Sequence, residues 1–233
     1  MIRYETTSGV ARITLDTPEN GNKFTYKLMR DFIGALTSAA SSGAAILLLD
    51  ATGPDFTLGR DQSEKLENVS RKDSLKLILQ ANDRLRGFPG VSVALIKGRA
   101  MGFGSGLALH ADISIAAHDA VLGFNEIKHG LAPLVVLTYL SDYVGPKIAK
   151  ELIYTGRDVP AEEAVRLGLL NRVVPATDLQ VEGDRLVGEL RGFHAGAIRL
   201  IHDFNEDLPD IGNDDPAAVG IERLVAWIEA GKP

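Results

Sequence analysis

Apolar residues fall at changing intervals along the chain, and the intervals mark out its elements. Residues 2–7 and 10–15 are short β-type runs separated by Ser8-Gly9, a hairpin signal. Leu28, Met29, Phe32, Ile33 and Leu36 repeat with a helical period and predict a helix over 26–40. The unbroken apolar runs at 44–49 and 91–96 read as buried strands. An amphipathic helix over 73–88 lies between them and is closed by Pro89-Gly90. Short strands are expected at 113–116 and 120–123. Helices are expected at 133–143 and at 146–154, the second with proline at its start. Pro160 opens a third that stops at Gly168, and 170–174 is extended up to Pro175. Beyond it the pattern is helical, broken by a loop at 207–216. The remaining loops are 16–22, 52–55 and 56–61, with a Ser-, Glu- and Lys-rich surface segment reaching Arg71. Strands and helices alternate first and helices alone follow. This is the order of an α/β core, residues 1–175, with a helical C-terminal region, residues 176–233. No internal repeat of fixed period is present.

One stretch concentrates the chemistry. Residues 95–112 run from a strand end through glycines 98, 102, 104 and 106 into the helix former Leu107-Ala108-Leu109. A helix that opens from such a turn leaves backbone N–H groups without intrahelical partners, at the positive end of its dipole. These donors suit an anion or a carbonyl oxygen gaining negative charge. Three readings stand at this point. The glycines could serve only close helix–strand packing. They could bind a nucleotide, although Gly102-x-Gly104-x-Gly106 is not G-x-G-x-x-G and lies mid-chain. Or they could build an oxyanion hole for acyl chemistry.

Composition narrows the classes. The 233 residues are 45% hydrophobic and 24% charged, as expected of a soluble globular protein, with no apolar run long enough for a membrane span. The N-terminus has no signal-like apolar core, so a cytoplasmic location is the default expectation. The net charge of −6 argues against nucleic-acid binding, though a local basic patch for a phosphate-bearing ligand remains compatible with it. Without cysteine there is neither disulfide nor thiolate catalysis, and the five histidines lack metal-ligand spacing, so no metal is expected.

In this frame the chain resembles the crotonase, or enoyl-CoA hydratase/isomerase, superfamily. Asp16-Thr17-Pro18 with Asn22 is similar to that family's D/N-x-P…N-A loop. Residues 47–51 and Phe56-Thr57-Leu58-Gly59-Arg60-Asp61 resemble V-L-T-G…F-S-A-G-A-D. Residues 93–112 resemble V-A-A-V-N-G-x-A-x-G-G-G-x-E-L-A-x-x-x-D. Tyr154-Thr155-Gly156-Arg157, residues 161–168 and Val173-Val174-Pro175 resemble L-T-G-R…A-x-E-A-x-x-x-G-L-V…V-V-P, and Trp227 to Pro233 resembles the family's ending. Five such pieces in order favour the oxyanion reading over its rivals. The resemblance implies a spiral of ββα turns with a helical C-terminal region, assembled as a homotrimer or hexamer. It implies an acyl-CoA thioester as substrate, coenzyme A being part of that substrate and no separate cofactor being needed. By position, the oxyanion donors would be the backbone N–H groups of Arg60 and Phe103, with Gly59, Asp61, Gly102 and Gly104 beside them in substrate binding.

The departures are equally specific. Of the two glutamates used by the family's hydratases, the first falls on Gly106 and is absent, while the second falls on Glu126. The usual P-G-x-G-G loop is replaced by Pro133-Leu134-Val135-Val136-Leu137. Glu126 is therefore the expected sole acid/base. Arg60 could meet a substrate anion or pair with Asp61 or Glu64. Asp61 reads first as a turn cap. Lys128 and His129 read as exposed loop residues, Tyr139 as core, and His110 as packing at the far end of the glycine-rich helix. A lone carboxylate suits a proton shuttle better than water addition, which places enoyl-CoA isomerisation slightly ahead of hydration. Hydrolysis, decarboxylation, or a catalytically depleted binder of acyl-CoA or of a partner protein are the alternatives.

Overall fold

The computed structural model describes residues 1–65, 67–212 and 214–232. Leu66, Asn213 and Pro233, which belong to the surface segment, the C-terminal loop and the family-like ending, lie outside the described residues. The chain opens with β1 (Ile2–Thr7) and β2 (Val10–Leu15), paired antiparallel about Ser8-Gly9 as the alternation predicts. Next come α1 (Tyr26–Ser41), β3 (Ile46–Ala51), α2 (Arg71–Arg86) and β4 (Val91–Ile96). They are followed by β5 (Arg99–Met101), α3 (Phe103–His110), β6 (Ile113–Ala117) and β7 (Val121–Gly123). The later elements are α4 (Leu134–Thr155), β8 (Asp158–Pro160), α5 (Ala161–Leu167), β9 (Arg172–Val174), α6 (Leu179–Arg191), α7 (Ala195–Asp207) and α8 (Pro216–Glu229). A six-stranded sheet has the order β1-β2-β3-β4-β6-β9, parallel from β2 onward. A three-stranded sheet, β5-β7-β8, stands against it.

Local sequence accounts for the main boundaries. Thr25 caps α1 by accepting the N–H of Leu28, and α1 buries Leu28, Met29, Phe32, Ala35, Leu36 and Ala39 along one face. Ser70 and Asp73 cap α2 reciprocally: the serine hydroxyl accepts from the Asp73 N–H and donates to its carboxylate. The two helices expected over 133–154 form α4, which is interrupted at Gly145 (φ 73°, ψ 160°) just before Pro146. Pro146 starts the second half, where its missing N–H costs nothing. The core is centred on the fully buried Phe24, Phe32, Phe56, Phe88 and Phe124. α6 lies on the large sheet, where Gly183 packs directly on Leu95. In contrast, α7 and α8 bury no residue, and Ile201 and Ile221 are 71% and 64% exposed. Among the described residues no helix is long and apolar enough to cross a membrane.

The first loop is laced to its neighbours through Asn22, which is fully buried with a φ of 54°. Its side-chain oxygen accepts the Thr17 N–H at 2.8 Å, and its amide donates to the carbonyls of Thr52 and Asp55 at 2.9 and 3.0 Å. Its own carbonyl accepts the Thr57 hydroxyl. Asp55 in turn takes three hydrogen bonds from Arg99, one from its backbone and two from its guanidinium, and these hold its carboxyl below the usual range. Three loops and the start of β5 are thereby fixed together. Asn22→Ala would take the partner from one buried and two part-buried backbone groups and put alanine at a positive φ that asparagine tolerates better. The expected loss is about 3 kcal/mol of stability with an unchanged urea m-value. A loss below about 1 kcal/mol would mean the loops are fixed by other contacts.

Candidate active site

Lacing the loops brings two backbone strips side by side. Thr57 donates to the Arg99 carbonyl at 3.1 Å and accepts from the Met101 N–H at 3.0 Å. Two residues on, Phe24 donates to the Gly59 carbonyl and accepts from the Asp61 N–H. The peptide units around Arg60 thus alternate, and the Arg60 N–H is turned away from Phe24. Glycine makes this approach possible. A Cβ at Gly59 (φ 82°) would stand 2.5 Å from the Met101 carbonyl, and one at Gly104 would stand 2.5 Å from the Thr57 methyl. Helix α3, wholly buried, starts at this contact, so the Phe103 N–H is one of its unpaired first-turn donors. Among the described residues neither the Arg60 N–H nor the Phe103 N–H makes a hydrogen bond.

The side chains at these two positions point elsewhere. Phe103 is 6% exposed, with its ring edge-on to Phe24 at 4.9 Å, which explains how a bulky residue fits where a small one is usual. Arg60 turns inward: its guanidinium donates to the Phe24 carbonyl, to Glu64 at 3.0 Å and to the Ser74 hydroxyl at 2.6 Å. The ion pair with Glu64 expected as one reading of this arginine is present, but the side chain points inward and not out to solvent. Asp61 accepts the Ser63 hydroxyl and N–H, a turn cap that holds its carboxyl below its ordinary pKa.

Glu126 sits in a short 3-10 turn, Asn125–His129, that follows β7. Its Oε1 lies 2.9 Å from where a Cβ on Gly102 (φ 52°) would be, directly over the start of α3. Its Oε2 is buried and has no hydrogen-bond partner among the described residues. Burial raises its pKa, opposed by its own backbone N–H and by nearby His129. His129 itself is exposed, and Lys128 reaches Asp158 at 3.7 Å. Gly59, Arg60, Gly102, Phe103, Gly104 and Glu126 are thus brought to one place, with Asp61 at its edge.

One further residue reaches this place from the core, against which it packs as expected. Tyr139, read as core, projects from α4 so that its hydroxyl lies 2.8 Å from where a Cβ on Gly106 would be. The phenol therefore fills the space over the position of the family's first glutamate. Burial, and next the charge of Glu126, raise its pKa well above the usual phenol range, so it is a neutral donor. Behind it the His110 ring packs at 4.5 Å, tilted 60°. His110 is packed as expected, yet both its nitrogens are buried without partners among the described residues.

The model of the family described as enoyl-CoA hydratase/isomerase matches residues 5–204. The chain belongs to the enoyl-CoA hydratase/isomerase family. A Thermus thermophilus protein named "Putative enoyl-CoA hydratase" is 30% identical over 212 residues, covering 88% of this chain and 84% of that protein. The family fold is equally plain. A crystal structure of enoyl-CoA hydratase from Mycobacterium smegmatis superposes with a TM-score of 0.90 at 23% identity, covering 97% of this chain and 90% of the other. One from Geobacillus kaustophilus gives 0.87 at 27% identity, covering 98% and 90%. The α/β fold expected from the resemblance is the fold of this chain.

His110 gives the site a pH signature in stability. Burial, followed by the positive charge of Arg86, lowers its pKa from 6.5 to about 4. The unfolded chain then binds more protons between these values, so stability falls as the pH drops from about 6.5 to about 4. At about 1.4 kcal/mol per unit, the full effect is roughly 3 kcal/mol. Urea titrations across this window should show the slope in the native protein and a clearly flatter one in His110→Leu. An equal slope in both would place the titrating group elsewhere.

Proposed function

We propose that the protein acts on acyl-CoA thioesters, holding the thioester oxygen between the backbone N–H groups of Arg60 and Phe103 while Glu126 moves the α-proton. The observation that carries this reading is the pairing of two unengaged N–H groups at the start of α3 with a buried carboxylate directly above the same turn. As the α-proton leaves, negative charge collects on the thioester oxygen, where fixed donors and the helix dipole stabilise it most. Removing one such donor typically costs ~3–4 kcal/mol in the transition state. Gly59, Gly102 and Gly104 keep the approach to these donors free of side chains. A carboxylate whose pKa is raised is a stronger base once ionised, and it keeps the proton it has taken long enough to deliver it to another carbon. Coenzyme A enters as part of the substrate, and the reaction needs no separate cofactor.

Among the described residues Glu126 is the carboxylate over the start of α3, since Gly106 supplies none and Asp61 is engaged by Ser63 at the edge. Moving a double bond requires a proton to leave one carbon and return to another, which a single carboxylate can do. Water addition needs a base for water as well as an acid for carbon. Isomerisation of an enoyl thioester is thus slightly favoured over hydration. A thioester binder without turnover is the competing reading, and proton exchange separates the two. Glu126→Gln keeps size but cannot accept a proton. It should lower α-proton exchange on a bound thioester by ~10²–10⁴-fold with little change in binding, whereas His129→Ala should exchange normally. Retention of most of the exchange rate in Glu126→Gln would sink the assignment.

The apolar residues left open on the last two helices support assembly. Ile201, Ile221, Leu224, Val225 and Ile228 are all at least 44% exposed. Such a patch is the mark of an interaction surface. The expected state is a homotrimer or hexamer. Light scattering at micromolar concentration checks this, and a monomer would refute it.

A further inference from the structure

The Tyr139 hydroxyl faces the site without a hydrogen-bond partner among the described residues. A tyrosine that is mostly enclosed usually has one. It is not the only polar group there left unsatisfied: Glu126 Oε2 and both His110 nitrogens are buried and unpartnered as well. These groups follow α3 in order. Glu126 lies over Gly102, Tyr139 over Gly106, and His110 ends the helix. Gly102 and Gly106 are four residues apart, about 6 Å along the axis. An acyl chain whose thioester oxygen sits at the Phe103 N–H, whose α-carbon faces Glu126 and which runs along α3 would meet Tyr139 within a few bonds of that carbon.

We propose that Tyr139 is a specificity-determining residue whose hydroxyl donates a hydrogen bond to a neutral oxygen carried by the acyl chain next to its α-carbon. The preferred substrates are then acyl thioesters with a hydroxyl or carbonyl at the third carbon. This rests on the acyl-CoA reading above and not on its isomerisation branch, because an enoyl thioester carries no oxygen at that carbon. The phenol has the right chemistry, being a neutral donor with no acceptor among the described residues. The negative Glu126 beside it disfavours a carboxylate in the same place, which leaves an uncharged oxygen as the partner. The His110 ring backs the phenol and fixes its direction. An unsubstituted acyl chain would leave the hydroxyl unpaired in the complex, and a site built to hydrogen-bond an oxygen rejects the analogue that lacks it.

Calorimetric binding of butyryl-CoA, 3-hydroxybutyryl-CoA and acetoacetyl-CoA to the full-length protein, to Tyr139→Phe and to Gly106→Ala tests this. The native protein should bind both oxygenated thioesters about tenfold more tightly than butyryl-CoA. Tyr139→Phe, which keeps the ring against His110, should bring these ratios close to one. Gly106→Ala keeps the tyrosine but sets a methyl against its hydroxyl, and it should reduce the ratios too. Should Tyr139→Phe fail to fold, Gly106→Ala decides. Equal affinities in the native protein, or ratios that survive in both variants, would overturn the proposal. A preference confined to the hydroxyl compound would overturn the donor role, because a carbonyl only accepts. If the native protein binds none of the three thioesters, the acyl-CoA reading itself fails and this proposal with it. Binding without preference removes only the role of Tyr139.

Discussion

The architecture depends on letting two stretches of backbone touch with nothing between them. The Met101 carbonyl and the Gly59 α-carbon are in contact at a distance that excludes any side chain, and Gly104 meets Thr57 in the same way. Such a contact gains little by itself, because it buries few apolar atoms. It must be imposed from outside, and the imposing groups are visible. Asn22 ties the first loop to the second, Arg99 ties the second to β5, and the aromatic column of Phe32, Phe24 and Phe103 braces both from the core. The approach of the two strips is therefore imposed by side chains that lie outside the contact itself.

This arrangement explains why side-chain identity is free at some positions and fixed at others. Arg60 and Phe103 are large where the family usually has small residues, yet both side chains leave the contact, one to a polar cluster and one to the core. The glycines cannot vary in this way. Electrostatics follow the same division. Arg12 and Arg99 pair with Asp50 and Asp55 inside the scaffold, while Glu126 Oε2 and both His110 nitrogens are buried without partners among the described residues, as are one oxygen each of Asp50 and Asn82. Unpaired buried groups are rare enough that those beside α3 call for an explanation.

Much of this was legible in the sequence, for identifiable reasons. The strands at 46–51 and 91–96 and the helix at 26–41 announce themselves through period and through their flanking turn residues. The glycine-rich stretch carries its own geometry, since a strand, a turn and a helix start are all local. Arg99–Met101 and Asp158–Pro160 gave no strand signal, because three-residue strands get their conformation from the β7 partner they share. The direction of Arg60 depends on Ser74, fourteen residues away across a polar segment. Tyr139 lies in an apolar helical pattern that looks like core from within. Only the crossing of α4 over α3 reveals that its hydroxyl meets Gly106, and no local rule encodes that crossing.

The large sheet ends at β1 on one side and at β9 on the other. β1 is exposed at every position from Arg3 to Thr7, and its outer rim carries Arg3 and Glu5. β9 is three residues long. A charged edge on one side and a very short one on the other are poor templates for adding a foreign strand. The parallel strands between them are largely buried, β3 at every position, and are the part of this chain most prone to aggregate if uncovered. The first hairpin therefore acts as a guard rail: it closes the sheet with a strand that pairs inward and repels outward.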